Sequence, residues 1–127
     1  MRSRKLSTTQ APVLFESPVA GGLISHFVSA VSGGSLYRKS SFLMDSLGKP
    51  VFSPVITIDE RPHLPRAQAS SWFDDDGVAT REREVVRGGE LQGYFLGSYS
   101  ARKLGMKTTG NSGGNYNLIV RPGDEDL

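Results

Sequence analysis

Residues 78–96, VATREREVVRGGELQGYFL, contain the clearest β-hairpin pattern in the chain. The first arm, residues 78–86, alternates around Thr80, Glu82 and Glu84, and the second arm covers residues 91–96. The intervening Arg-Gly-Gly-Glu, residues 87–90, is typical of a tight turn because glycine readily adopts the backbone angles that such turns need. The stretch therefore predicts an antiparallel hairpin, around which the other elements are assigned.

Further short strands are predicted on both sides of the hairpin. The apolar runs that suggest them are residues 12–15, 51–52, 55–58 and 116–120. Pro54 places the second and third of these at a sheet edge or a bulge, because proline cannot donate a ladder hydrogen bond. Residues 61–71 hold two prolines and predict a loop, and Asp-Asp-Asp-Gly at residues 74–77 predicts a turn.

One amphipathic helix is predicted from residue 18 to about residue 32. Ser17-Pro18 is a favourable helix start, and Gly33-Gly34 is a natural stop. The apolar residues fall on one side and are expected to face a core: Val19, Ala20, Leu23, Ile24, Phe27, Val28 and Val31. Small polar residues fall on the opposite side, with His26 at the border: Ser25, Ser29 and Ser32.

Composition supports an α+β fold, with this helix near the N-terminus followed by mostly antiparallel β-strands. The 127 residues include 15 Gly and 7 Pro, which argues against a helical bundle. Residues 1–11 are polar and basic and are expected to be a loose lead-in. For residues 35–47 the sequence is compatible with either irregular structure or a second short helix. Residues 100–104 predict one helical turn that ends at Gly105.

Charge and cysteine content exclude several functional classes. The net charge of +2 is too small to predict nucleic-acid binding, although residues 2–5 are basic and residues 124–126 are acidic. The chain has no cysteine, which excludes disulfides and thiol catalysis within it and fits a reducing compartment. The chain has no run of 18 apolar residues, so the sequence predicts no membrane span. No apolar segment follows the basic N-terminus, so the sequence does not predict a secretory signal either.

The candidate chemical motifs are weak when considered one at a time. The glycine-rich residues 109–114 could cradle an anion, but the Lys-Ser/Thr of a phosphate-binding loop is missing and a plain turn is favoured. Residues 74–77 lack the alternating ligands and distal Glu of a calcium loop. The two histidines, His26 and His63, lie far apart in the sequence. Physical chemistry alone therefore indicates a soluble α+β domain without visible catalytic apparatus.

Five stretches resemble the TldD/PmbA family, in the order and at the spacing found there. They are SRKLST at residues 3–8, GGSLYRKS at 33–40, FLMDSLGK at 42–49, DDDGVAT at 74–80 and SYSARKLGMKTTGN at 98–111. The resemblance is to the PmbA branch, also called TldE. It implies that residues 1–127 are a partial domain, the central segment of a larger β-rich C-terminal domain in a longer protein.

The family resemblance implies a cytoplasmic heterodimer that acts as a zinc metallopeptidase on unfolded peptides. Its TldD-type subunit carries a His-Glu-x-x-x-His helix, in which the histidines bind zinc and the Glu acts as general base. The three motif positions fall on Ser25, His26 and Ala30, and the Arg-Arg of the catalytic branch is replaced by Gly113-Gly114. No catalytic or metal-binding residue is therefore carried over, and zinc is expected in a TldD-type partner instead of this chain.

The resemblance thus predicts a non-catalytic subunit or a fragment of one. Its expected partners are a TldD-type catalytic subunit and peptide substrates, and no association with a membrane is expected. The alternative is a nucleic-acid or gyrase-associated binding protein, which the basic N-terminus and the family's older name as modulator of DNA gyrase favour. Ser25, His26, Ser29 and Ser32 are predicted to line a cleft or subunit contact. A simple solvated face remains open for the same residues.

Overall fold

A computed structural model of the protein describes residues 5–123, so the basic residues 1–4 and the acidic residues 124–127 lie outside the described part. The helices are α1 (Ser17–Ala30), α2 (Gly33–Tyr37) and α3 (Ser98–Leu104). The strands are β1 (Ile58–Glu60), β2 (Arg83–Arg87), β3 (Glu90–Leu91) and β4 (Leu118–Val120). The predicted α+β class is confirmed.

The strands form one antiparallel sheet in the order β3-β2-β1-β4. β2 and β3 make the predicted hairpin, with Val86 opposite Leu91 and Arg87 opposite Glu90. β1 lies between β2 and β4 and pairs with both, so that Asp59 faces Glu84 on one side and Ile119 on the other. β4 is therefore an edge strand of the sheet within residues 5–123.

Both arms of the hairpin are shorter than the sequence predicts, because other segments take their hydrogen bonds. Residues 78–81 turn back on their own loop, where the amide of Thr80 donates to the carbonyl of Trp72. The amide of Gln92 still donates to Val85 on β2, but the chain then leaves β2, and Phe95 pairs instead with the junction between α1 and α2. Its amide donates to Val31 and its carbonyl accepts from Gly33.

Other strand predictions need correction as well. Residues 12–15 form no strand and are not buried, since Val13 and Leu14 are 69% and 75% exposed. Residues 51–57 form an irregular segment with one turn at residues 54–55, and it packs on the hairpin turn, where the amides of Val51 and Phe52 both donate to the carbonyl of Gly89. Of the strand predicted at residues 55–58, only the last residue, Ile58, lies in a strand, at the start of β1. Of the strand predicted at residues 116–120, only Leu118–Val120 forms a strand, β4.

α1 begins and ends close to its predicted limits, but its apolar side is only partly buried. Phe27 and Val31 are 7% and 0% exposed, whereas Val19 and Leu23 near the start of the helix are 59% and 50% exposed. The expectation that the whole apolar side faces a core is therefore wrong for the first half of α1. The residues predicted to stop the helix, Gly33-Gly34, instead begin α2 after a break at residues 31–32.

The core lies between the sheet and the helices. Its buried apolar residues come from all parts of the fold, and the largest fully buried ones are Leu36, Ile58, Leu91, Leu96, Val31, Val85 and Val86. α2 and α3 pack closely, since a Cβ added to Gly33 would stand 2.2 Å from the hydroxyl of Ser100. α3 ends at Gly105, as predicted, in the left-handed conformation. None of the helices between residues 5 and 123 combines the length and hydropathy that a membrane span requires.

Candidate functional site

An apolar cleft lies between α1 and the β4 edge of the sheet. It has a volume of about 830 Å³. Helix α1 contributes one wall, which includes Ile24 and Val28. The opposite wall is formed by Phe52, Ile56, Leu118 and Val120. The half-exposed first turns of α1 therefore overhang a cleft that the described residues leave open.

A second, more polar groove continues from this cleft along the C-terminal end of α1. It has a volume of about 360 Å³ and lies between the α1–α2 junction, the start of α3 and residues 111–115. Val28 and Asn115 line both concavities, which makes the cleft and the groove contiguous. Several glycines line the groove, so backbone groups are accessible there: Gly33, Gly34, Gly97, Gly113 and Gly114.

The serines singled out by the sequence lie along these two concavities. Ser25 and Ser29 line the cleft, and Ser32 lines the groove. His26 is exposed and belongs to the lining of neither. Ser25 and Ser29 share the cleft with Ile24 and Val28, so they do not lie wholly opposite the apolar side of α1. The structure therefore groups the three serines and leaves the histidine outside.

The serine hydroxyls are bonded to the helix itself. Ser25 Oγ donates to the carbonyl of Gly21 at 3.1 Å, Ser29 Oγ donates to Ser25 at 3.0 Å, and Ser32 Oγ donates to Ser29 at 3.0 Å. Each hydroxyl proton is thus engaged, while the oxygen lone pairs can still accept a hydrogen bond. This arrangement suits close contact with another surface better than nucleophilic chemistry.

A buried network around Glu60 holds the glycine-rich loop, residues 108–114, against the sheet. Glu60 is 1% exposed, and its carboxylate accepts from Arg83 Nε at 2.8 Å and from Asn111 Nδ2 at 2.7 Å. The backbone amide of Tyr116 donates to the same carboxylate at 3.0 Å. Arg83 also donates to Asn111 Oδ1 at 3.1 Å. Asn111 is therefore fixed from both sides, and the wall of the groove is fixed with it.

Asp74 organises the same wall from the other side. Its Oδ1 accepts from the amides of Asp76 and Val78, both at 2.9 Å, and its Oδ2 accepts from the amide of Ser112 at 3.0 Å. The predicted turn at 74–77 is confirmed, but the bond to Ser112 could not be predicted from it. Asp76 in turn accepts from the amide of Ser98, and this hydrogen bond lowers the pKa of the Asp76 carboxyl.

An ion cluster ties β4 to the rest of the sheet. Arg121 donates two hydrogen bonds of 2.8 Å to Asp59 on β1 and one of 2.6 Å to Glu84 on β2. Hydrogen bonding to Arg121 lowers the pKa of Asp59, and hydrogen bonds from Arg87 and Arg121 lower that of Glu84. Arg121 is consequently occupied by carboxylates of its own sheet.

Zinc does not fit the α1 positions that the resemblance singles out. Ser25 uses its hydroxyl proton on its own helix, and Ala30 has no donor atom. His26 would be left as a single imidazole ligand, whereas protein zinc sites use three or four. Among the described residues, His, Asp and Glu side chains nowhere form a group of three or more that could hold a metal ion.

The comparison with known protein families gives a match over nearly the whole chain. Residues 8–127 match the family model described as PmbA/TldA metallopeptidase C-terminal domain. A metalloprotease PmbA homolog from Haemophilus influenzae is 55% identical over 96% of this chain, which corresponds to 27% of that relative. A metalloprotease TldD homolog from the same organism is 33% identical over 79% of this chain and 21% of the relative.

Solved structures resemble the fold as well. A crystal structure of a protein described as a candidate modulator of DNA gyrase, from Bacteroides thetaiotaomicron, matches with a TM-score of 0.79 and 34% identity. The match covers 85% of this chain and 24% of that protein. The chain thus spans about a quarter of the length of the relatives it matches.

Proposed function

Because this chain belongs to the PmbA/TldA metallopeptidase family, we propose that it acts in a two-subunit, zinc-dependent peptidase of the cytoplasm as part of the non-catalytic, PmbA-type subunit. The catalytic partner is a TldD-type subunit that carries the zinc, and the substrates are unfolded peptides. The chain forms one segment of a larger domain within that subunit.

The observation that carries this proposal is the chemistry of α1. The family resemblance puts the zinc-binding motif of the catalytic branch on this helix, at the positions of Ser25, His26 and Ala30. Here those positions hold a hydroxyl bonded to its own helix, an exposed imidazole and a methyl group. Such a set can neither bind zinc at a protein-like site nor activate a zinc-bound water.

The relatives support the assignment to the PmbA-type subunit. One organism, Haemophilus influenzae, has both a PmbA homolog and a TldD homolog, and this chain is 55% identical to the first and 33% identical to the second. Two diverged subunits of one family in one organism are consistent with a division of labour, in which one subunit keeps the catalytic groups and the other provides contacts.

We assign the contact role to the serine-lined side of α1, which borders the cleft and the groove. Small side chains allow a second surface to approach closely, and the apolar cleft beside them offers buried area. Ser29 lies in the middle of this side, between Ser25 and Ser32, and it lines the cleft with its neighbour Val28. A bulky charge at Ser29 would stand at the centre of the proposed contact.

Co-purification tests this proposal, with two arginine variants on the same helix. The chain is mixed with a tagged TldD-type subunit, and Ser29→Arg is compared with His26→Arg, which adds the same charge at an exposed position outside the cleft and the groove. Ser29→Arg should lose the complex and His26→Arg should keep it, because only the first forces a charge into the contact. Equal retention by both variants would refute the contact role of this side.

Nucleic-acid or gyrase-associated binding is the second candidate, favoured by the basic residues 2–5 and by the description of the Bacteroides thetaiotaomicron protein. The net charge of +2 provides little attraction for a phosphate backbone. A filter-binding titration at several salt concentrations separates the candidates. Affinity that falls steeply with salt would favour DNA binding, because phosphate contacts release counterions, and the absence of measurable binding at low salt would favour the peptidase subunit.

A further inference from the structure

We infer that the exposed surface where α2 meets α3 is a recruitment site for acidic segments of unfolded peptides. This surface, which we call the basic-aromatic patch, consists of Tyr37, Arg38, Tyr99 and Lys103. The inference rests on the proposed function for the role of the bound peptide, because it names a substrate class of that peptidase. None of the four residues lines the apolar cleft.

The packing of α2 on α3 brings together two basic pairs that are far apart in the sequence. Arg38-Lys39 follows α2, and Arg102-Lys103 lies in the last turn of α3. Tyr37 and Tyr99 join the two helices, with ring centroids 5.7 Å apart in an edge-to-face contact. The surface therefore exists only in the folded chain, and neither basic pair forms a cluster by itself.

Two cations of the patch are held over its aromatic rings. The guanidinium carbon of Arg38 lies 5.5 Å from the centre of the Tyr37 ring, and Lys103 Nζ lies 5.5 Å from the centre of the Tyr99 ring. The Arg38 guanidinium also lies against α2, since a Cβ added to Gly34 would stand 3.5 Å from both of its terminal nitrogens. Contacts of this kind restrict both side chains before a ligand arrives, which reduces the entropy lost on binding.

The patch carries positive charge that the described part of the chain does not neutralise. The ion pairs formed within residues 5–123 use other cations, namely Arg61, Arg83, Arg87 and Arg121. Arg38 and Lys103 are exposed, and neither pairs with a carboxylate in this range. The carboxylate that bonds to α3, that of Asp76, contacts the amide of Ser98 at the opposite end of the helix from Lys103. The patch is therefore suited to attract anions.

The aromatic rings favour a peptide over a nucleic acid as the anion. Single-stranded nucleic acids bind basic surfaces by stacking their bases on aromatic side chains. In the patch, the cations of the chain already lie over Tyr37 and Tyr99, and the two rings also contact each other. Carboxylates need only N–H donors, which the guanidinium of Arg38 offers as a planar fork and the ammonium of Lys103 as a point charge. The occupant is therefore an acidic peptide segment.

The position of the patch gives the bound peptide a role. Tyr99 lines the polar groove, and so does Gly34, against which Arg38 lies. The patch thus begins at the groove, beside the proposed contact with the TldD-type subunit. A peptide held there has a raised effective concentration at the catalytic partner, although this chain supplies no catalytic group. Peptides with acidic segments should consequently be preferred over neutral ones.

Fluorescence anisotropy tests the inference with labelled peptides that differ only in charge. The probe is an unstructured peptide of alternating Glu and Ser, and the reference peptide has Gln in place of each Glu. The chain should bind the probe more tightly than the reference, by a margin that shrinks as salt is added. The double variant Arg38→Gln/Lys103→Gln should bind the probe about tenfold more weakly than the parent, because each exposed ion pair contributes about threefold.

Two matched variants separate this surface from general effects. Lys49→Gln/Arg66→Gln removes the same charge at exposed positions outside α2 and α3, and it should bind the probe within about twofold of the parent. Arg38→Lys/Lys103→Arg keeps both charges and should retain most of the affinity. Equal losses in the two Gln double variants would mean that net charge alone binds the peptide, and a full loss in the charge-keeping variant would mean that the substitutions act through the fold. Either result would overturn the inference.

The remaining outcomes are equally decisive. Equal affinity for the Glu and Gln peptides, or no measurable binding of the Glu peptide at low salt, would contradict recruitment by charge. Tighter binding of an oligothymidylate of the same length than of the Glu peptide would identify a nucleic-acid surface instead. None of these measurements needs zinc or the partner subunit, so their failure would leave the subunit assignment, which co-purification tests, unaffected.

Discussion

Replacement of Glu60 by Gln should destabilise the fold strongly, because Glu60 is the buried centre of the network behind the glycine-rich loop. The substitution keeps the size of the side chain and removes its charge. One oxygen can still accept from Asn111 and from the amide of Tyr116, but the new NH2 group must then face the Nε–H of Arg83, a donor against a donor. Arg83 would lose its counter-charge at the same time.

The expected loss in the free energy of unfolding follows from how deeply Glu60 and Arg83 are buried. Removing one member of a buried ion pair costs about 3–5 kcal/mol. The Glu60 side chain is 1% exposed, but that of Arg83 is 19% exposed, so water relieves part of the penalty. We therefore expect a loss of about 3 kcal/mol, the lower end of that range. With a urea dependence of about 1.5 kcal/mol/M, the unfolding midpoint should fall by about 2 M.

Urea unfolding followed by tryptophan fluorescence measures this loss, since the chain has one Trp. Glu82→Gln is the matched control, because Glu82 is exposed and stands next to Arg83 in the chain. The control should change the free energy of unfolding by no more than about 0.5 kcal/mol. Equal midpoints for Glu60→Gln and Glu82→Gln would refute the structural role assigned to the buried carboxylate.

Three further substitutions test other parts of the structure by equilibrium unfolding. Asp59→Asn should lower the free energy of unfolding at pH 7 by about 1–2 kcal/mol. Because Arg121 lowers the folded-state pKa of Asp59, the parent protein loses the stability gained from this pair as the pH falls below the ordinary carboxyl pKa of 3.8. The difference in the free energy of unfolding between the parent and the variant should therefore narrow at low pH, and a difference that stays constant contradicts the pairing. Gly110→Ala should cost about 1–3 kcal/mol, because φ is +74° and the new Cβ would stand 2.9 Å from a backbone oxygen; unchanged stability contradicts the close approach. Ile119→Pro should destabilise by about 2–3 kcal/mol more than Val120→Pro, since only the first removes an amide that faces β1, and equal losses contradict the register.

Local signals in the sequence correctly predicted the turn of the hairpin and the end of α3. The turn at residues 87–90 joins β2 to β3, and both Gly88 and Gly89 have positive φ. Gly105 ends α3 in the left-handed conformation, with φ of 65°. Each of these features depends on residues within one or two turns of chain, so propensity and turn chemistry are sufficient to find it.

Features that depend on distant residues could not be predicted in the same way. Phe95 continues an apolar run that reads as strand, but it pairs with the α1–α2 junction. The partners of Glu60 are 23, 51 and 56 residues away in the chain, so nothing in its local sequence marks it as buried. The serines of α1 were found by helical spacing, whereas the cleft beside them requires β4, which is nearly a hundred residues further along.

Metal analysis tests the central claim most directly. Zinc is measured per mole in the purified chain alone, in the TldD-type subunit alone and in the complex of the two, after each has been dialysed against the same trace-metal buffer. The assignment to the non-catalytic subunit predicts no stoichiometric zinc in this chain and one zinc per complex, supplied with the TldD-type subunit. One zinc per mole of this chain alone, retained through dialysis and lost when Ser25 or His26 is replaced by Ala, would contradict it.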